Sequence, residues 1–280
     1  MEATVAAVEW LQAILLGVLQ GLTEFLPISS SAHLRVYPAF LGWEDPGAAF
    51  TAVVQIGTEV AVLLFFWRDI WRIGTTWLRS LTDRELRRDP DARMGWFIIV
   101  GSMPIVVLGV LFRDQIETTA RSLTLVAVML IVFGIVLGVA DRVGAKRHPI
   151  SHLGWRDAVL FGLGQALALV PGVSRSGATI SMGLLLGYER AAATRYAFLL
   201  AIPAVVGAGL FQLPEIPGGD NVYGVGPTVA ATLAAFVVGY ATIAWLLRWV
   251  TTRSYLPFVI YRVGLGSAVL IGLGTGAITG

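Results

Sequence analysis

Two polar stretches carry the residue types that do chemistry. The first reads QGLTEFLPISSSAHL, residues 20–34. Gln20 and Glu24 stand four apart, so a helix places them on one face. The Glu24 carboxylate can hold Mg²⁺ through oxygen, with the Gln20 amide as a neutral second ligand or a water holder. Ser30 and His33 resemble a nucleophile and its base, and alternatively the imidazole attacks phosphorus itself. The second stretch reads PGVSRSGATI, residues 171–180. Ser174, Ser176 and Thr179 offer hydroxyls, and Arg175 offers a planar donor fork that matches phosphate. A helix restarting near Ser176 turns its N-terminus toward an anion. A base, a hydroxyl, a metal-capable carboxylate and an arginine cradle are the parts of a phosphatase. The plainer alternative makes Glu24 and Arg175 a purely structural ion pair.

The elements that must position these residues are membrane helices. The chain is 56% hydrophobic and only 14% charged, where soluble domains hold about 25% charged residues. Its mean hydropathy is +0.76. Several apolar runs reach about 20 residues, the length that crosses a bilayer core, which excludes a soluble helical domain. The 32 glycines suit close helix packing in lipid. With no cysteine, disulfides, thiolate chemistry and cysteine-ligated metals are excluded. The net charge of +2, with basic residues near membrane edges, points to no nucleic acid partner. The start, MEATVAAVEW, places acids where a cleavable signal peptide needs positive charge.

Six segments read as full crossings: about 48–67, 94–112, 123–140, 194–213, 227–247 and 257–278. Two more, 6–35 and 156–187, each pair two apolar arms around a polar, proline-centred patch. Each arm is short for a crossing, so both segments read as helical hairpins that enter the membrane and return. Such broken backbone is tolerated where protein or a polar cavity satisfies it. Arginines crowd 68–93, and 141–156 is also basic, whereas 214–226 has no Lys or Arg. The positive-inside rule then puts both termini and loop 214–226 outside the cytoplasm. Only short 113–121 breaks the pattern, and there Arg113 and Arg121 face Asp114 and Glu117.

The two hairpins share G-x-x-Q, and they share P-x-x-S at Pro27/Ser30 and Pro171/Ser174. Each is followed by three crossings, and they enter from opposite sides. The expected fold is therefore an all-α polytopic membrane protein of six transmembrane helices plus two re-entrant helical hairpins. It forms an inverted-topology repeat in one integral membrane domain, 1–280, with repeats at about 6–140 and 156–278. The tips 24–33 and 171–179 then meet near mid-membrane, where charged groups are expensive and functional. A site at that depth takes its substrate from lipid.

These residues also carry a resemblance. The chain resembles the bacitracin-resistance family of bacterial undecaprenyl-diphosphate phosphatases over roughly residues 8–275. The motifs are QGLTEFLPISSSAH at 20–33 and PGVSRSGATIS at 171–181, with FRDQI at 112–116 and PFVIYR at 257–262 in similar placement. The resemblance implies removal of the terminal phosphate of undecaprenyl diphosphate, giving the lipid carrier for cell-wall synthesis. It implies catalytic roles for Glu24, Ser30, His33 and Arg175 without settling whether Ser30 or His33 attacks phosphorus; Ser30 as nucleophile with His33 as base is the reading favoured here. It implies phosphate binding by Ser174, Arg175, Ser176 and Thr179, and Mg²⁺ or Ca²⁺ held by Glu24 and Gln20. It places the protein in the bacterial plasma (inner) membrane with the site opening outside the cytoplasm. The implied partners are an isoprenyl diphosphate lipid and membrane lipids, and a homodimer is compatible. Many members carry Glu where this chain has Gln20, so one metal charge is missing here.

The competing function is a membrane transporter or flippase for an anionic lipid or ion, since inverted repeats also build carriers. A carrier has no use for a nucleophile beside a base. His148 and His152 read as loop histidines rather than metal ligands. Glu59, one turn after Gln55, is a carboxylate in an apolar crossing that lines the pocket or pairs across a dimer. Arg262 is expected to snorkel to the cytoplasmic head groups.

Overall fold

The computed structural model describes residues 2–112, 115, 122–212 and 222–278. The expected charges at Arg113, Asp114, Glu117 and Arg121, and most of loop 214–226, lie outside these residues. The described residues form eleven α-helices. In chain order these are α1 (Glu2–Phe25), α2 (Ser30–Leu41), α3 (Gly47–Phe65) and α4 (Trp67–Ser80). They continue as α5 (Pro90–Leu111), α6 (Leu123–Val143), α7 (Trp155–Ala166) and α8 (Arg175–Leu185). The last three are α9 (Arg190–Gln212), α10 (Val225–Thr252) and α11 (Leu256–Thr275). Four of them, α5, α6, α10 and α11, are long and apolar enough to cross a membrane by themselves. The protein is an all-α, multi-span membrane protein.

Both odd segments break where expected. The first runs as α1, stops at Phe25 just before Pro27, and restarts as α2. The second runs as α7, tightens into a 3-10 turn at Leu167–Leu169, passes Pro171 and restarts as α8. The arms are unequal: α7 and α8 have 12 and 11 residues, but α1 has 24. At about 1.5 Å per residue, α1 alone is as long as a bilayer core is thick.

The basic stretch 68–93 is not a plain loop. After a 69° bend at Phe66, the chain forms α4, WRDIWRIGTTWLRS. Trp67, Trp71 and Leu78 are exposed along it, Ile73 is buried, and arginines stand between them. A tally of charges alone hides this amphipathic period.

The packing pairs each half with the other. Helix α1 lies along α10, and α7 lies along α5; α3 meets α9, and α6 meets α11. Small residues permit the close crossings. A Cβ at Gly17 would overlap the Ala231 carbonyl on α10, and a Cβ at Gly162 would overlap the Gly101 carbonyl on α5.

The same interval links matched features of the two broken segments. Gly17, Gln20, Ser29, Ser31 and Gly42 are followed, at one constant offset, by Gly162, Gln165, Ser174, Ser176 and Gly187. Ser29 (φ 75°) and Ser174 (φ 74°) both take left-handed backbone just before a short helix. That conformation is uncommon for residues other than glycine. Each serine hydroxyl lies 3.2 Å from the serine two residues on, Ser31 or Ser176. This register corrects the one read from P-x-x-S: Ser174 corresponds to Ser29, not Ser30, and the residue matching Ser30 is Arg175.

Candidate active site

The tips meet at Glu24, at the C-terminal end of α1. Its Oε2 accepts from Ser30 Oγ at 2.6 Å and from Gln20 Nε2 at 3.1 Å. Its Oε1 takes the Arg175 guanidinium at 2.7 Å. Ser30 and Arg175 are the first residues of α2 and α8, so the carboxylate sits between two helix starts, where anions are favoured. Charge-assisted bonds of this kind are roughly twice as strong as neutral ones. The Ser176 hydroxyl adds a second link between the tips, donating to the Leu26 carbonyl at 3.0 Å.

The expected Ser30–His33 pair is not formed in this structure. Ser30 donates to Glu24, and both His33 nitrogens are occupied elsewhere. Nδ1 lies 2.7 Å from the Ser29 carbonyl, which can only accept, so Nδ1 carries the proton. Nε2 lies 2.7 Å from the Tyr261 hydroxyl. The imidazole is fully buried, and the rings of Tyr37 and Tyr261 each lie near-parallel to it. It pins the left-handed Ser29 tip to α11.

The second tip divides its polar residues between support and pocket. Ser174 Oγ caps α8, accepting from Gly177 N at 3.2 Å. Thr179 is buried and donates back to the Arg175 carbonyl at 2.7 Å. Arg175 and Ser176 face an open pocket. Glu24, Thr58 and Glu59 line its polar side, and Val62, Ala201 and Val205 belong to its apolar side. Gln20 is buried, its amide nitrogen makes a long 3.5 Å contact to Thr58 Oγ1, and its Oε1 has no hydrogen-bond partner among the described residues.

Arg262 does not snorkel. It is fully buried and donates to five carbonyls. Two belong to α6, Leu130 at 3.1 Å and Met129 at 3.3 Å. Three belong to the tips: Pro27, Gly172 and Val173, each at 3.0 Å. Pro27 and Gly172 are matched positions of the two tips, so one guanidinium braces both. The broken helices leave orphan carbonyls that need such a donor. Sequence reasoning missed this role and that of Tyr261. Both lie in PFVIYR, which from sequence alone reads as the start of the last apolar crossing.

The model of the family described as bacitracin resistance protein BacA matches residues 13–268. An undecaprenyl-diphosphatase of Nocardioides sp. is 68% identical, over 97% of this chain and 99% of its own length. An undecaprenyl-diphosphatase 2 of Agrobacterium fabrum is 60% identical over 96% of this chain and 98% of its own. An undecaprenyl-diphosphatase of Micrococcus luteus is 59% identical over 96% and 99%.

Proposed function

The chain belongs to the bacitracin resistance protein BacA family, and from that premise we propose that it hydrolyses undecaprenyl diphosphate to undecaprenyl phosphate. It is a membrane hydrolase that returns a lipid carrier to cell-wall synthesis. The observation that carries the reading is the convergence of Ser30, Arg175 and Gln20 on Glu24.

Glu24 is placed to take the Ser30 proton as Ser30 Oγ attacks the terminal phosphorus. The bond from that phosphorus to the bridging oxygen breaks, and undecaprenyl phosphate leaves. Water then cleaves the phosphoserine and releases inorganic phosphate. A protonated Glu24 holds Arg175 more weakly, so proton transfer frees the guanidinium for the phosphoryl oxygens, where charge develops. In this scheme Glu24, not His33, is the base, and His33 keeps the tip in shape. Ser176 lies beside the phosphoryl group, while Ser174 and Thr179 hold the backbone that presents Arg175.

The residues fit a divalent cation, because Glu24 is a carboxylate and the buried Gln20 Oε1 is an acceptor without a partner among the described residues. Mg²⁺ or Ca²⁺ held there would offset phosphate charge and polarise the phosphoryl group. The apolar side of the pocket, with Val62, Ala201 and Val205, suits the first isoprene units.

The finer topology we propose is six crossings and two re-entrant hairpins in an inverted repeat, about 6–140 and 156–278. Both termini and the pocket mouth open outside the cytoplasm of the bacterial inner membrane. The basic loops and the constant offset between the two tips support it. Single cysteines at Arg84 and Val222 are expected to label from opposite sides, and same-side labelling removes this threading.

The activity test is phosphate release from undecaprenyl or farnesyl diphosphate by the purified protein. Glu24→Gln, Ser30→Ala and Arg175→Ala are each expected to lower kcat by at least about 100-fold. Parent rates in all three would end the site assignment. A transporter has no need of a hydroxyl donating to a half-buried carboxylate, and it would release no phosphate.

A further inference from the structure

The polar side of the pocket holds a second carboxylate, Glu59 on α3. Its bonding differs from that of Glu24. Glu24 receives three donors, from Gln20, Ser30 and Arg175. Among the described residues, Glu59 receives only the Gln55 amide, at 3.3 Å. Its Oε2 occupies space left by the missing side chain of Gly209 on α9: a Cβ there would come within 2.6 Å of that oxygen. A carboxylate in a membrane crossing with one long neutral donor lacks the compensation such groups require.

The charge of the pocket wall sharpens the point. Its ionisable residues among the described ones are Glu24, Glu59 and Arg175, two carboxylates against one guanidinium. A diphosphate entering this wall meets net negative charge unless a cation accompanies it. Gln20 supplies an independent sign of a missing partner. It is 1% exposed, its amide nitrogen reaches Glu24 and Thr58, both in the pocket wall, and its Oε1 has no partner among the described residues. Mg²⁺ and Ca²⁺ take oxygen ligands, and Mg²⁺ favours one or two carboxylates completed by water and phosphate oxygens.

We propose that Glu59 is a cation ligand of this site, acting with Glu24 and the Gln20 amide oxygen on a divalent ion. The inference rests on reading the pocket as a cation-assisted phosphatase site, and it gives this chain two carboxylates despite glutamine at position 20. Glu59 then replaces the charge that Gln20 lacks, from a different helix.

The test is Mn²⁺ binding, followed by electron paramagnetic resonance on the full chain in detergent without substrate. Parent, Glu59→Gln, Glu59→Asp and Glu24→Gln are compared, together with the Mn²⁺-induced rise in Tm. Glu59→Gln is expected to weaken binding at least about tenfold, since even outer-sphere losses cost 10–100-fold. It is also expected to abolish the Tm rise while leaving the metal-free Tm unchanged. Glu59→Asp, which keeps the charge, is expected to bind more tightly than Glu59→Gln. If Glu59→Gln binds like the parent while Glu24→Gln does not, Glu59 is no ligand, and the assignment of Glu24 stands. If the parent shows no saturable Mn²⁺ binding, this inference and the cation part of the proposed function fall together. Phosphate release by the parent would still stand as a separate measurement.

Discussion

At matched positions of the two tips, Ser29 and Ser174 take the same left-handed backbone, and each opens a short helix. The side chains around them diverge. Glu24 is matched by Leu169, Ser30 by Arg175, and His33 by Ala178. One tip carries the carboxylate and the hydroxyl, and the other carries the guanidinium. The shared backbone delivers two helix starts to one point, and the divergent residues give that point the groups of the proposed phosphate site. Neither tip holds the full set, so the chemistry exists only where they meet. Arg262 braces matched carbonyls of both, Pro27 and Gly172, and belongs to neither.

That brace gives the largest expected effect. Arg262→Met strands the three tip carbonyls of Pro27, Gly172 and Val173, since Met129 and Leu130 lie inside α6 and keep their helical bonds, and each buried unsatisfied group costs about 1–3 kcal/mol. We expect loss of both folded protein and activity, read by thermal unfolding in detergent and by phosphate release. Arg262→Lys keeps the charge on a single nitrogen that cannot reach α6 and both tips together, so a severe loss is expected there too. Full activity in Arg262→Lys would break the idea of a shared brace.

The next effect makes the tips alike. Arg175→Ser puts hydroxyls at both matched positions and removes the guanidinium that Glu24 holds. A drop in kcat of about 100- to 1,000-fold is expected, as for loss of one charge-stabilising donor. A variant near the parent rate would mean that the divergence at this position carries no chemistry.

A smaller effect lies in the pin that only the first tip has. Tyr261→Phe removes the Nε2 partner of His33 but keeps the stacked ring. A lost hydrogen bond of about 1 kcal/mol corresponds to about fivefold in rate. If Tyr261→Phe costs as much as Glu24→Gln, His33 takes part in proton transfer and the division of roles given above is wrong.

The comparison also explains what was legible in the sequence. Polar residues in apolar runs announce themselves, because membrane depth makes them costly, so Gln20, Glu24, Ser30, His33 and Arg175 stand out by type alone. Four of the helices, α5, α6, α10 and α11, follow from apolar length for the same reason. The partners of those residues are less visible. Ser30 and His33 look paired at a spacing of three, but bonding follows the left-handed turn at Ser29, which no residue-type pattern marks. Arg262 sits early in an apolar run, where snorkelling is the usual outcome, and its target carbonyls come from three separate segments. The P-x-x-S match misled by one residue because proline is not at the matched position in the two tips, while glutamine and serine are. Helix α4 was hidden because its arginines dominate the composition while its tryptophans and isoleucines set the period.

The mildest perturbation tests whether the correspondence extends beyond the tips. Gly17 on α1 crosses the backbone of Ala231, and Gly162 on α7 crosses the backbone of Gly101. A methyl group at either glycine meets a carbonyl of the partner helix, so the helices must separate. Overpacking of this kind costs about 1–3 kcal/mol, and each kcal/mol lowers Tm by about 2–4 °C in a chain of this size. Gly17→Ala and Gly162→Ala are therefore expected to lower Tm by similar amounts and leave phosphate release measurable below the transition. Gly17 lies one turn from Gln20, so Gly17→Ala also carries a displacement toward the proposed cation ligands and is expected to weaken Mn²⁺ binding, whereas Gly162→Ala is not. Equal Tm losses with unequal Mn²⁺ effects would place the common scaffold in the crossings and the divergence in the tips. Clearly unequal Tm losses would show that the two halves share a turn but not a packing plan.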